Sequence, residues 1–143
     1  MSAVKTYSPD RVKLVVGVHS VTGYADGTFV SIEPLGDGIT SQAGADGEVA
    51  RVMSADKRVK ITLTLQQTSR SNDVLNTLLS IDHLSGGDKP FPLMLTDLRG
   101  STLVATDAAW IVNRPTVEFG KELCNREWVI ETARAAFSVG GNS

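Results

Sequence analysis

Residues 58–84 contain two periodic patterns back to back, and they limit the possible folds more than any other stretch of the chain. In the first pattern, an apolar residue occupies every second position from Val59 to Leu65. The alternating polar positions are Lys60, Thr62, Thr64 and Gln66. A period of two predicts a strand with one buried face and one wet face.

The second pattern has the spacing of a short amphipathic helix. Its apolar members are Val74, Leu75, Leu78 and Leu79. Ser71 or Asn72 could cap the start of this helix through its side chain. A strand is therefore expected to lead into a helix.

Most of the remaining apolar segments are typical of strands. They lie in residues 12–18, 28–33, 48–53, 91–96, 101–112 and 127–133. We expect a turn at 97–100, an irregularity near 106–109 and a connection at 114–125. One helix among so many strands does not make a repeating βαβ unit. The predicted fold class is mainly β with one α-helix, in which two antiparallel sheets pack as a sandwich or a partly open barrel.

A chain of 143 residues suits a single domain, here residues 1–143, with a substantial core. Residues 1–9 have no periodicity and are expected to form an N-terminal arm. The predicted core contains Leu63, Leu65, Leu75, Leu78, Leu79 and Trp128.

Composition excludes several classes of function. A net charge of −2 argues against a general nucleic-acid-binding surface. No apolar run approaches the roughly 20 residues that span a bilayer, and the first residues lack the apolar centre of a signal peptide, so no membrane partner is expected. Cys124 is the single cysteine, which rules out a disulfide within one chain.

Residues 34–47 contain four glycines and only 39–43 resembles a short strand. Structureless loops longer than about 12 to 15 residues are uncommon in compact domains unless they are functional or disordered. The segment and its flanks are acidic, and basic residues follow closely. Two interpretations are open: a solvated acidic loop beside a solvated basic strand, or complementary surfaces that meet between copies. The second makes 34–47 an inter-subunit loop, with contact candidates Glu33, Asp37, Asp46, Glu48, Arg51 and Arg58.

The sequence has no catalytic or ligand-binding motif that we recognise. His19 and His83 are not spaced as neighbouring metal ligands, and the glycines match neither a Walker loop nor a dinucleotide fingerprint. No cofactor, metal or catalytic residue is predicted. An enzyme would need a pocket made of dispersed residues such as Asp26, His83 and Asp97.

Six segments, taken in order along almost the whole chain, resemble one family of small phage structural proteins. They are KTYSPDRV (5–12), YADGTFVSIE (24–33), GADGEVARV (44–52), ITLTLQQTSRSNDVLNTL (61–78), FPLMLTDLRGSTL (91–103) and EFGKELCNREWVI (118–130). The family is that of the inner tail tube proteins of contractile-tailed bacteriophages.

This resemblance implies a fold similar to the tube protein of type VI secretion, with two packed sheets and a flanking helix. It implies a structural virion protein of the tail, made and assembled in the cytoplasm of the bacterial host. Hexameric rings would stack into a hollow tube that conducts DNA during infection. The implied partners are other copies of the chain, a sheath outside, a tape-measure protein and DNA in the lumen, and baseplate and tail-terminator proteins at the ends. The resemblance implies no catalytic residue in this chain.

The polar face formed by Lys60, Thr62, Thr64 and Gln66 could line such a lumen once several copies join their sheets. A polar strand face is also the ordinary outside of a monomer. The alternative function is therefore a monomeric β-sandwich binding module that uses the 34–47 loop as its site.

Overall fold

The computed structural model describes residues 4–142, which contain ten strands and one α-helix. The helix α1 spans Ser71–Leu84, and a short 3-10 helix covers Pro9–Arg11. The strands are β1 (Val12–Val16), β2 (His19–Ser20), β3 (Val30–Pro34), β4 (Ile39–Ala43), β5 (Val49–Met53), β6 (Val59–Leu65), β7 (Phe91–Asp97), β8 (Leu103–Asn113), β9 (Arg126–Thr132) and β10 (Ala136–Ser138). Residues 114–125, here called the connector, join β8 to β9 without regular secondary structure. Part of the predicted N-terminal arm, residues 1–3, lies outside the described range.

Two antiparallel sheets are present. The larger follows the order β2-β1-β7-β8-β9-β6-β3, with β10 paired to β8, and the smaller consists of β4 and β5. The predicted fold class is confirmed: the protein is mainly β, with one helix and two antiparallel sheets. The larger sheet curls, so that Val30 and Ile32 of β3 line one cavity of about 360 Å³ together with Leu95 of β7. Of the two predicted arrangements, this sheet forms the partly open barrel.

The strand β6 has the two faces that its alternation predicts. Val59, Ile61, Leu63 and Leu65 are at most 2% exposed, whereas the side chains between them are partly exposed. β6 pairs with β3 on one side and with β9 on the other. Burial of an aliphatic side chain contributes about 1.5 to 3 kcal/mol, so this strand supplies a large share of the core energy.

Five of the six predicted core residues are buried, and one prediction is wrong. Leu63, Leu65, Leu75, Leu79 and Trp128 belong to a single core cluster. Leu78 is only half-buried and packs against the edge of that cluster. The stripe that α1 buries runs through Ser71, Leu75 and Leu79. Leu78 precedes Leu79 by one residue and is therefore turned about 100° away from it around the helix axis.

The predicted N-cap is also wrong. Arg70 occupies the N-cap position without a side-chain cap, and Ser71 is the first helical residue and fully buried. The Ser71 Oγ accepts a hydrogen bond from the Thr22 N–H at 3.0 Å and bonds the His19 Nε2 at 2.8 Å. The Ser69 Oγ accepts one from the Ser71 N–H at 3.2 Å. Ser71 therefore fixes the start of the helix to the segment after β1.

The predicted irregularity near 106–109 is confirmed by a register shift, because Phe91 faces Ala109 whereas Leu93 faces Thr106. The first strand ends at Val16, earlier than predicted, because Gly17 turns the chain with φ +62. The short strand expected at 39–43 within residues 34–47 is confirmed as β4, which pairs along its whole length with β5.

We predict that Leu75→Ala will lower the free energy of unfolding by about 2 to 5 kcal/mol, because it leaves a cavity beneath the helix. Leu84→Ala on the same helix is the matched control, because Leu84 is 89% exposed. The measurement is urea unfolding of unassembled protein. Equal effects of the two substitutions would contradict the observed helix orientation.

Candidate assembly surfaces

The β4–β5 hairpin, residues 39–53, continues the β3–β6 ladder beyond the end of the core. At the base, the Leu35 N–H donates to the Arg58 carbonyl at 3.0 Å. Backbone pairing then resumes between β4 and β5, and all ten residues of these two strands are exposed. At about 3.3 Å per residue, the hairpin extends roughly 17 Å. It is a projecting ribbon with no core face.

The hairpin tip holds two of the predicted contact residues. The Asp46 Oδ1 accepts a hydrogen bond from the Glu48 N–H at 3.1 Å, and the Gly44 N–H donates to the Glu48 carbonyl at 2.8 Å. Gly47 has φ +85, a conformation that favours glycine. The Ala-Asp-Gly triplet at 45–47 is therefore a turn that presents two carboxylates at the end of the ribbon.

The other predicted contact residues are spread along the hairpin and its base. Arg51 lies in β5, Asp37 and Arg58 lie near the base, and Glu33 lies in β3, all of them exposed. The Arg58 Nε and Nη2 each donate to an Asp56 carboxylate oxygen at 2.9 Å. These bonds hold the pKa of Asp56 below its ordinary value. Arg58 therefore has an acidic partner in its own chain, which the charge pattern did not indicate.

Four large apolar side chains of the hairpin are more than half exposed: Ile39, Val49, Val52 and Met53. The register places Ile39 opposite Met53 and Ala43 opposite Val49, so these pairs share one face. Val52 lies on the other face, opposite Thr40. Apolar side chains on both faces of a projecting ribbon are typical of a segment that another molecule contacts.

The predicted polar face exists on the outside of the larger sheet. Lys60, Thr62 and Thr64 are partly exposed on β6, and Gln66 is exposed just after it. The same polar character continues onto the neighbouring strands. Lys60 faces Glu33 and Glu131, Thr62 faces Ser31 and Val129, and Thr64 faces Glu127. The surface combines hydroxyl groups with charges of both signs, which suits contact with water.

The strand β3 leaves one edge of the larger sheet open in the described part of the chain, because its ladder pairs only with β6. β2 ends the hydrogen-bonded path on the other side. Unpaired strand edges present free N–H and carbonyl groups that can pair with another chain.

Two of the residues suggested for a dispersed enzyme site, Asp26 and Asp97, accept hydrogen bonds from nearby backbone N–H groups. The Asp26 Oδ1 accepts from the Gly27 N–H at 3.1 Å, and the Asp97 Oδ1 accepts from the Arg99 N–H at 3.0 Å. No group of three or more possible metal ligands occurs within residues 4–142. Across the same residues, no helix has the length and apolar character needed to cross a membrane.

The curled sheet, the helix α1 and the projecting hairpin define a small mainly β domain with an exposed ribbon. Two solved structures share this fold: a chain of the anti-feeding prophage cap, a tube-terminating cap (TM-score 0.59, 10% identity, 96% of this chain and 94% of that one), and a chain of the native gene transfer agent virion (TM-score 0.61, 9% identity, 94% and 100%). At these identities the likeness concerns the fold alone.

Sequence comparison identifies the family. The Bacteriophage PhiTE tail tube protein family matches residues 13–140. The chain is also 35% identical to "Structural protein ORF10" of Pseudomonas phage KPP10 over 96% of its own length and 83% of that protein. The chain belongs to the Bacteriophage PhiTE tail tube protein family. It is a tail tube structural protein of a phage virion, it assembles with other tail proteins, and it is not an enzyme.

We predict that Val49→Ser combined with Val52→Ser will change the free energy of unfolding by less than about 0.5 kcal/mol per site, because both side chains are outside the core. Thermal and urea unfolding of unassembled protein measure this effect. A loss of several kcal/mol would mean that the hairpin packs on its own domain.

Proposed function

We propose that this protein forms hexameric rings that stack into the hollow inner tube of a contractile phage tail. The observation that carries the proposal is the exposed hairpin, whose apolar and acidic side chains are uncovered in a protein of the tail tube family. The open edge of β3 supports ring formation, because pairing with the next copy would satisfy its backbone groups. The hairpin, whose first strand and tip lie within the predicted inter-subunit loop 34–47, makes contacts between stacked rings.

The face formed by Lys60, Thr62, Thr64 and Gln66 lines the lumen in this proposal. Its hydroxyls and mixed charges support the role, because a conduit for DNA should not bind phosphates tightly. Lys60 supplies a positive charge, but carboxylates lie opposite it on both neighbouring strands. The tape-measure protein fills the lumen before DNA passes during infection.

Further partners follow from the same proposal. A sheath surrounds the tube, and baseplate and tail-terminator proteins contact its two ends. Assembly takes place in the cytoplasm of the bacterial host. The alternative function, a monomeric binding module, is disfavoured because the family is one of tail tube proteins.

We predict that purified wild-type protein forms rings or tubes, seen by negative-stain electron microscopy. Native mass spectrometry should give rings of six 15.2 kDa subunits. Monomer at all concentrations and salt conditions would contradict the proposed function.

We predict that Asp46→Lys combined with Glu48→Lys blocks tube growth but leaves the fold and the rings intact, because it reverses the charge at the hairpin tip. Each exposed ion pair contributes only about 0 to 1 kcal/mol, but the contact repeats around every ring. Added salt should weaken stacking of wild-type rings. Asp88→Lys, at an exposed loop position away from the hairpin, is the control. Normal tubes from the double variant would show that stacking does not depend on these charges.

We predict that Thr62→Cys, in a Cys124→Ser background, reacts with a bulky maleimide in dissociated protein and is protected in tubes. The reason is that the reagent reaches a lumen only through the tube ends. Leu84→Cys in the same background is the control, because it lies on the exposed helix end. Equal reactivity of the thiol introduced at position 62 in tubes and in dissociated protein would place this face outside the lumen.

A further inference from the structure

The hairpin and the connector lie at opposite ends of the domain. Pro34 pairs with Val59, and the hairpin leaves the sheet at this end. Leu65 pairs with Arg126, and the connector enters β9 at the other end. The seven residues of β6 separate the two ends by about 20 Å.

The connector is fixed to the domain although it has no regular secondary structure. The Arg114 Nε donates to the Asn76 Oδ1 at 3.0 Å, and the Arg114 Nη2 donates to the Ser80 Oγ at 3.1 Å, which ties its start to α1. Near its end, the Cys124 N–H donates to the Gln67 Oε1 at 2.9 Å. A segment anchored at both ends presents a defined surface rather than a loose loop.

A buried cation lies beneath this surface. Arg126 is 9% exposed, and its Nη1 donates to the Cys124 carbonyl at 3.1 Å. The guanidinium carbon lies 5.3 Å from the centre of the Phe119 ring. This cation–π contact orients the Phe119 side chain, although the residue is 79% exposed.

The connector displays apolar side chains that its own domain leaves uncovered. Val117, Phe119 and Leu123 are 54%, 79% and 67% exposed. Beside them is a cavity of about 120 Å³, lined in part by Pro115, Val117 and Trp128. An aliphatic side chain from outside could enter such a cavity. The hairpin carries uncovered aliphatic side chains at the opposite end of the same chain.

The two ends also differ in charge. Residues 37–53 contain three acidic residues, Asp37, Asp46 and Glu48, and one basic residue, Arg51. At the other end, the exposed charged residues of 66–70 and 114–125 are three basic ones, Arg70, Arg114 and Lys121, and two acidic ones, Glu118 and Glu122. An acidic hairpin and a more basic connector end are complementary, which favours association in one orientation.

We propose that the hairpin of one copy docks on the connector of a second copy stacked above or below it. The hairpin places its apolar side chains against Val117, Phe119 and Leu123, and its tip carboxylates face the basic side of the connector end. Two different surfaces at opposite ends make a head-to-tail contact, which repeats without limit along a stack. This inference rests on the proposed stacking of rings, and it identifies the surface that receives the hairpin.

The native Cys124 allows a direct test, because it lies in the connector. Val49→Cys adds a second thiol in the hairpin, and tubes of this variant are treated with a short bismaleimide. The two thiols of one copy lie at opposite ends of the domain, so a cross-link between the introduced thiol at position 49 and Cys124 must join two chains. We expect covalent oligomers on denaturing gels, with the 49–124 linkage identified by mass spectrometry. They should disappear in Val49→Cys with Cys124→Ser.

A matched control uses Val139→Cys with native Cys124, because Val139 is 78% exposed and lies in neither surface. If tubes form but the 49–124 linkage is no more abundant than the 139–124 linkage, the inference is wrong and the proposed function stands. If wild-type protein forms neither rings nor tubes, the proposed function and this inference both fail.

A second variant tests the connector without cross-linking. Val117→Glu with Leu123→Glu should leave rings intact but reduce tube yield at least about tenfold, the effect of roughly 1.4 kcal/mol at 25 °C. Both positions are exposed, so the fold should persist, as circular dichroism can check. Leu84→Glu is the control for an added charge at an exposed leucine. Unchanged tube yield from the double variant would overturn the inference.

Discussion

The pairing of β6 between β3 and β9 is the constraint on which the rest of the structure depends. Its four inward side chains are almost completely buried, so this strand cannot shift by one residue without exchanging its apolar and polar faces. That register fixes which residues of β3 and β9 share the outer face with Lys60, Thr62 and Thr64. The alternation of apolar and polar residues in β6 therefore determines which side chains enter the core and which lie on the proposed lumen surface.

The same ladder also explains the position of the hairpin. β3 and β6 form the last two strands of the larger sheet, and beyond Pro34 and Val59 their chains continue past the core. With no helix or sheet to cover it, the ribbon of β4 and β5 has no inside face. Its stability as a unit comes from its own hydrogen bonds and from the anchoring strands, since an isolated two-stranded hairpin is only marginally stable in water.

The sequence predicted the parts of the fold that bury one face. β6 and α1 were recognised because burial imposes a period of two on a strand and a stripe on a helix. The strand β4 was expected at 39–43, but its pairing with β5 into an exposed hairpin was not, because a ribbon exposed on both faces needs no alternation. The role of Ser71 was missed because its contacts with His19 and Thr22 join residues about 50 positions apart. Charge counting found the acidic tip, but it could not show that Arg58 is paired with Asp56. The resemblance supplied the family, which no local pattern contains.

A contact built from the hairpin and the connector would divide affinity and orientation between two kinds of side chain. Apolar side chains such as Val49 and Phe119 supply most of the free energy, at about 25 cal/mol for each Å² removed from water. The exposed charges contribute little to affinity, but they disfavour contact between two hairpins, because the acidic tips would meet. Only the head-to-tail arrangement then pairs apolar with apolar and acidic with basic surfaces. A chain whose two ends differ in this way adds copies in one direction, as a tube with two distinct ends requires.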